Sequence, residues 1–423
     1  MKKILVFALF TLLPLTASAN SGTCGENCSW KIENDVLTVY PTTPGQAVVM
    51  DAYSPVETGE GDGAYKSRTS APWGDSYQTI KGVVVSEGID TISDRAFQGL
   101  RNVTSVSMPN TLTTIGLLSF DRMTSLTTVD IPDSVTTIGR SAFQYATSLE
   151  NLTIGNSVQT IEQNAFSNAQ SLTSLNIPDS VTSIGPYAFR NTTSLENVNI
   201  PGSVESIGDF AFRNAYALTN INFQEGLKTI GNSAFEATSL TSVTLPDSVL
   251  SIGKYAFGQA FAYNDYLTGR IDTIILGENI QEIGAVAFSR NTATSLVLPE
   301  SLFADGRQLN PFAFEYSNIA TIYCPEGYQS CLDFVPMHCT GDIDTDGKTC
   351  LGEMVPSSVQ LTILTYKKES DGSYRVGAKE YDTFDDLQSG NEHDHSIPNN
   401  PIFGTTSGRH PYAVGSKTLP SAS

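Results

Sequence analysis

The chain has 423 residues and a formal net charge of −20 at pH 7, from 44 Asp and Glu against 24 Lys and Arg. An acidic balance of that size repels phosphate backbones and anionic lipid surfaces, so it argues against nucleic acid and membrane surfaces as partners. The cysteines number six, an even count, and in an exported chain they read as disulfides rather than as a redox site.

In chain order, residues 1–19 have the form of a secretory signal peptide. Lys2 and Lys3 are its basic end, Ile4 to Leu15 its apolar run, and Ala17-Ser18-Ala19 its cleavage motif, with cleavage expected before Asn20. The apolar run is too short for a permanent membrane anchor. No lipobox precedes Cys24, and neither a second apolar run of spanning length nor a sortase-type tail is recognised, so no membrane insertion is expected. Loss of Lys2 and Lys3 takes the net charge from −20 to −22. Residues 20–80 are predicted to form an N-terminal β cap. Trp30 to Ile32 and Val36 to Val39 read as two strands around an Asn34-Asp35 turn, and Trp30 and Trp73 as the core of the cap. Glu57 to Gly63 reads as a loop.

From Val83 to Cys324 the chain repeats. Phe97, Phe120, Phe143, Phe166, Phe189, Phe212 and Phe235 each follow the last by 23 residues, and Phe257, Phe288 and Phe314 continue with steps of 22, 31 and 26. A fixed period in the twenties is the signature of a solenoid. In the repeat ending at Phe143 the apolar positions are Leu126, Val129, Ile131, Val135, Ile138 and Phe143. Val129 and Ile131 alternate with Asp130, the period of a strand with one face buried, and Pro132 ends that strand. Ile138-Gly139 reads as a turn, and Ala142-Phe143 as a short helical or 3₁₀ turn. Six apolar side chains do not offset the entropy of ordering a whole repeat, so repeats must stack and share their faces. The predicted fold is a repeat solenoid over 81–324, about eleven rungs, with one short strand per repeat in a curved parallel sheet.

The pattern L-x-x-V-x-I-P-x-S-V-x-x-I-G-x-x-A-F resembles the BspA-like leucine-rich repeat of bacterial secreted and surface proteins. It departs from the commoner leucine-rich repeat, whose buried Asn is replaced here by Ser134, Ser157, Ser180 and Ser203. The BspA-like Cys three residues after the Phe is replaced by Ala146, Ala169, Thr192 and Ala215. That fits an oxidising compartment, where buried thiols are a liability. The resemblance implies adhesion to host matrix proteins, co-aggregation with other cells, or host-cell contact.

Outward strand positions form polar columns, one reading Ser107, Asp130, Thr153, Asn176, Asn199, Asn222, Thr244. Asn168, Asn191 and Asn214 share a turn position and are expected to satisfy backbone groups there. Two irregularities interrupt the array. The insertion 258–270 carries Phe261, Tyr263, Tyr266 and Arg270, the composition of interface hot spots, and is the predicted partner-binding element. The next step, of 26 residues, has Phe303 and Leu309 at weak consensus positions, as a capping repeat does.

After Cys324 the pattern stops. Residues 325–353 read as a cysteine-rich C-terminal cap, 354–388 as a small appended hairpin and helix, and 389–423 as a disordered tail. Cys24 with Cys28 is the obvious local pair; Cys324, Cys331, Cys339 and Cys350 allow three pairings. Asp342, Asp344, Asp346, Lys348 and Glu353 stand at ligand positions of a D-x-D-x-D-G-x₅-E calcium loop. That pattern makes Ca²⁺ a candidate ligand, although Pro336 and Pro356 leave no room for the usual flanking helix pair; otherwise no cofactor is expected.

Catalytic chemistry is not legible. No His precedes His338, and no G-x-S-x-G, H-E-x-x-H or Gly-rich phosphate loop occurs. Glu150 and Glu196 share a column two rungs apart, roughly 10 Å at the usual strand spacing. That exceeds the separation an inverting glycosidase uses, and both would stand on an open polar sheet. His393 and His395 lie in the tail. The expected protein is therefore an extracellular or cell-surface scaffold, a monomer and not an enzyme, that binds a protein or glycoprotein. The rival expectations are a glycan-binding or glycan-processing protein, and an architectural surface component.

Overall fold

The computed structural model describes residues 21–46, 48–57, 67–258, 270–334, 336–339, 354–356, 361–376, 379–381 and 413–417. Within them the repeats wind into a three-faced solenoid. The first face is the predicted sheet, in which Thr128–Asp130, for example, pairs parallel with Asn151–Thr153. Pro132 closes that strand with a turn, where Val135 N–H donates to Pro132 O.

The second face corrects the expected turn at Ile138-Gly139. Thr137–Ile138 is a two-residue strand that pairs parallel with Thr114–Ile115 before it and Thr160–Ile161 after it. Ten short strands, of two residues each except the four-residue Ile89–Ile92, run from Val48–Val49 to Glu282–Ile283 among the described residues. The repeats up to Glu282–Ile283 therefore have two strands, whose β-branched residues favour them. The one after Ser295–Val297 has 3₁₀ turns at Glu300–Leu302 and Ala304–Gly306 instead of a second strand.

The third face carries Phe143 on the expected tight turn, with i→i−3 bonds from Ala142 to Gly139 and from Gln144 to Ser141. It is not a regular 3₁₀ stretch. Ser141, Phe143 and Tyr145 give their N–H groups to Gln163, Ala165 and Ser167 of the next rung instead. Pointing alternate amides along the solenoid axis requires left-handed backbone at Ser141 (φ 56) and Tyr145 (φ 61). Such residues cost roughly 1–2 kcal/mol each, offset by the inter-rung bonds they permit.

The core is a column. From Trp73 through Phe97 to Phe314, successive rings stack with centroids 4.9–5.6 Å apart. Trp73 begins it, fully buried, with its indole N–H on Ala96 O and Trp30 edge-on at 5.9 Å. Both tryptophans are cap core, as expected. Cys28–Glu33 and Val36–Pro41 pair antiparallel around Asn34 (φ 51) and Asp35 (φ 64), the backbone of a type I′ turn. Val36–Pro41 then pairs parallel with Gly82–Val85 and passes the sheet to the rungs.

The C-terminal end extends the solenoid. Leu361–Lys368, placed by its sequence in an appended module, pairs parallel and in register with Thr321–Pro325. Tyr374–Val376 and Lys379–Tyr381 form the expected hairpin. The hairpin is docked by Tyr374 hydroxyl on Glu278, and the strand before it by Lys368 Nζ on Glu278 and Tyr366 hydroxyl on Leu298 O. Within the tail expected to be disordered, Ala413–Lys417 is a strand on Leu361–Lys368. Cys24–Cys28 is bridged as expected, and of the pairings left open the structure takes Cys324–Cys331. The side chain of Cys339, and Cys350, lie outside the described residues, as do the signal peptide and the helix expected after Tyr381.

One buried charge interrupts the turn face. Asp121 is 2% exposed and accepts from Gln98 Nε2 at 2.9 Å. Burial pushes its carboxyl up to about 6, against the opposing pull of Gln98, Arg122, Arg101 and Arg95. A folded-state pKa above the unfolded one means that the folded chain keeps a proton the unfolded chain has lost. Ionised Asp121 therefore costs stability above pH 6, and the cost fades as pH falls toward 4. Asp121→Asn is expected to stabilise by on the order of 2 kcal/mol at pH 7.5 and by almost nothing at pH 4. Urea unfolding at the two pH values checks this; equal effects at both would remove Asp121 ionisation as the cause.

Candidate functional site

The first sheet offers the expected polar columns. Asn176, Asn199 and Asn222 stand in register. In this column Asn222 Nδ2 donates to Asn199 Oδ1 at 2.6 Å, and in the neighbouring column Asn220 Nδ2 donates to Asn197 Oδ1 at 2.9 Å. Part of this face's hydrogen-bonding capacity is thus consumed within the chain. Asn168, Asn191 and Asn214 behave likewise, which corrects their expected role. Asn191 Nδ2 donates to Asn168 Oδ1 and Asn214 Nδ2 to Asn191 Oδ1, both at 2.8 Å, while their backbones take the left-handed conformation. Two of the serines in the place of the usual Asn bond the preceding rung, Ser134 Oγ to Leu112 O and Ser180 Oγ to Val158 O, whereas Ser203 Oγ is buried without a hydrogen-bond partner among the described residues.

A groove of 1340 Å³ opens where the second sheet meets the start of the turn face, toward the C-terminal end. Its floor is backbone. Gly208, Gly231, Gly253 and Gly284 lie along it, and a Cβ on any of them would come within 2.5–2.6 Å of the preceding rung. Beside the glycines runs a ladder of side chains. Asn232 N–H donates to Asp209 Oδ1 at 2.7 Å, and Lys254 N–H to Asn232 Oδ1 at 2.8 Å. Asp209 thus serves the backbone of the next rung. One rim is aromatic: Phe210 stacks on Tyr187 at 4.8 Å, with the Arg213 guanidinium 5.4 Å from the Phe210 centroid, and Tyr255 stands further along. The end wall is Leu302 with Arg307 to Pro311. Arg307 is held by Ser301 O at 3.0 Å and by Asp305 at 3.4 Å.

The 26-residue step that supplies this wall was visible in the sequence, as was the aromatic at the second position after the glycine in Tyr187, Phe210 and Tyr255. The groove was missed because the glycine turn was not recognised as a second sheet edge. Of the predicted binding residues, Phe261, Tyr263 and Tyr266 lie outside the described residues, and Arg270 is exposed where the chain re-enters the array. The insertion leaves from the turn face after Gly258 and returns to the first sheet, while the groove opens on the second. Asp342, Asp344, Asp346, Lys348 and Glu353 also lie outside the described residues.

Stacked rungs, a long parallel sheet and an internal phenylalanine column define a leucine-rich-repeat solenoid. The profile of the BspA type Leucine rich repeat region matches residues 76–196, 137–264 and 259–340. More than half of the chain is covered, and the chain belongs to the BspA-type leucine-rich-repeat family. No curated protein matches. Among solved structures, a leucine-rich repeat protein from Bacteroides ovatus is 16% identical, with 72% of this chain and 96% of that one covered and a TM-score of 0.44. A leucine rich cell surface protein from Faecalibacterium prausnitzii is 24% identical, with 73% and 89% covered and a TM-score of 0.33. The leucine rich repeat protein of T. pallidum is 22% identical, with 51% and 88% covered and a TM-score of 0.37. The matched family is a repeat region and brings no enzyme family with it.

Proposed function

We propose that this is an exported adhesion scaffold that binds an extracellular protein or glycoprotein partner, with the groove over Gly208, Gly231, Gly253 and Gly284 as its principal site. The observation that carries this reading is the groove itself, lined by these four glycines between Phe210 and Tyr255 on one side and Arg307 on the end wall. Phe210 and Arg307 are the side-chain types that anchor interfaces. The two disulfides fit an oxidising, extracellular setting. Among the described residues no helix is long and apolar enough to cross a membrane. A glycan-binding role is the second reading, favoured by the aromatic rings of Phe210 and Tyr255 lining the groove.

A panel of extracellular-matrix proteins, set beside a glycan array and a hydrolase panel, separates these readings. Phe210→Ala combined with Arg307→Ala is expected to weaken binding to the partner so found by about tenfold or more, with melting unchanged. A chain whose 258–270 insertion is trimmed is the companion variant. Undiminished binding by the groove variant, with loss in the trimmed one, moves the site to the insertion.

A further inference from the structure

The solenoid ends on a strand whose outer edge is closed in two pieces, neither of them a rung. Leu361–Lys368 meets the last rung on its inner side, where Thr362 N–H donates to Ala320 O and Tyr366 O accepts from Glu326 N–H. Amides alternate along a strand, so those of Leu361, Ile363 and Thr365 point to the outer edge. The hairpin covers Lys367 and Lys368, paired with Arg375 and Tyr374. The rest is covered by Ala413–Lys417 through the pairs Leu361–Lys417, Thr362–Ser416 and Leu364–Ala413, with an irregularity in register.

This covering strand is short, contains Gly415, and makes an interrupted ladder. A ladder of that kind holds weakly, yet an open strand edge is a template for other chains. The connection from Tyr381 to Ala413 comprises residues 382–412, which fully extended would span about 100 Å. Its length therefore permits the strand to reach its own edge or that of a neighbour.

We propose that the outer edge of Leu361–Lys368 is a strand-acceptor site for the segment 413–417, filled within the molecule when dilute and by the tail of a second copy when molecules are crowded. An intramolecular strand competes at an effective concentration of order millimolar, so exchange becomes appreciable only as neighbours approach that density. Molecules packed side by side on a surface reach it, and the exchange links copies without a new interface.

The test uses the full chain. Because the Thr362 amide faces the last rung, Thr362 and Ser416 form a pair without hydrogen bonds between them, with Cα atoms about 4.5 Å apart, within reach of a disulfide. A chain carrying Thr362→Cys and Ser416→Cys is oxidised as a mixture of isotopically light and heavy copies, and the bridge is mapped by non-reducing mass spectrometry. Leu364→Cys with Ala413→Cys is the second variant, should the first fold poorly. The expected result is a bridge within single copies at about 10 µM and at least a tenfold larger mixed light–heavy fraction near 1 mM. Excess synthetic peptide of sequence 411–419 lowers both. Absence of the bridge in both variants, or a mixed fraction that does not rise with concentration, overturns the proposal.

Discussion

Phe166→Ala is expected to destabilise the chain by roughly 3–5 kcal/mol, the usual range for a buried aromatic cut to alanine. The site has little room to collapse. Phe166 is fully buried and stacks on Phe143 at 5.3 Å and on Phe189 at 5.5 Å, with ring planes within 7°. On each side the rungs are tied by backbone bonds on the second sheet and on the turn face. Those ladders hold the neighbours at their spacing, so the cavity persists instead of closing. Phe166→Leu keeps most of the volume and is expected to cost less than half as much. In a linear array a central loss also weakens coupling between the halves, so the alanine variant is expected to broaden the urea transition as well as shift its midpoint. A shift worth less than about 1 kcal/mol would mean that the ladders, not the phenylalanine column, hold the rungs together.

The solenoid was legible because one physical constraint repeats. A column of rings at 23-residue steps survives any uncertainty in a single rung, and the strand before Pro132 follows from Val129 and Ile131 alone. The second strand was not legible for a matching reason. Thr137–Ile138 is two residues long, too short for a period to show, and Gly139 beside it carries a turn signal that local reasoning weighs more heavily. The pair is a strand only because Thr114–Ile115 and Thr160–Ile161 flank it. The tail failed similarly. Ala413–Lys417 has no strand pattern of its own and is ordered by the edge it covers. The groove needs three distant features at once: the glycine floor, the aromatics after it, and the long final step. Each was readable, but their meeting follows from the winding of the rungs.

Gly231→Ala is expected to cost about 3 kcal/mol, the upper end of ordinary overpacking, for one added methyl group. The new Cβ would lie 2.6 Å from Asp209 N and from Gly208 C, and 2.7 Å from Asp209 Oδ1. The first two are backbone atoms of the preceding rung and cannot swing aside. The rung itself cannot lift without stretching the Gly231 N–H bond to Ile207 O at 2.8 Å, the pairing of Thr229 with Ser206, and the Phe212–Phe235 stack at 5.2 Å. The chain contains its own control in Glu162, which stands in the same column. Its amide lies 3.2 Å from Ile138 O, against 2.7–2.9 Å for Gly116, Gly139, Gly185, Gly208, Gly231, Gly253 and Gly284. A side chain is thus accommodated there by opening the rungs, in a backbone already arranged around it. Glu162→Gly is expected to change stability by less than about 1 kcal/mol, since the tighter bond offsets the added chain entropy of glycine. Gly231→Glu, in a closed rung, is expected to cost more than Gly231→Ala. Urea unfolding of the three variants decides the matter. A Gly231→Ala chain as stable as the parent would show that the rungs slide apart freely, and that glycine is not what sets their spacing.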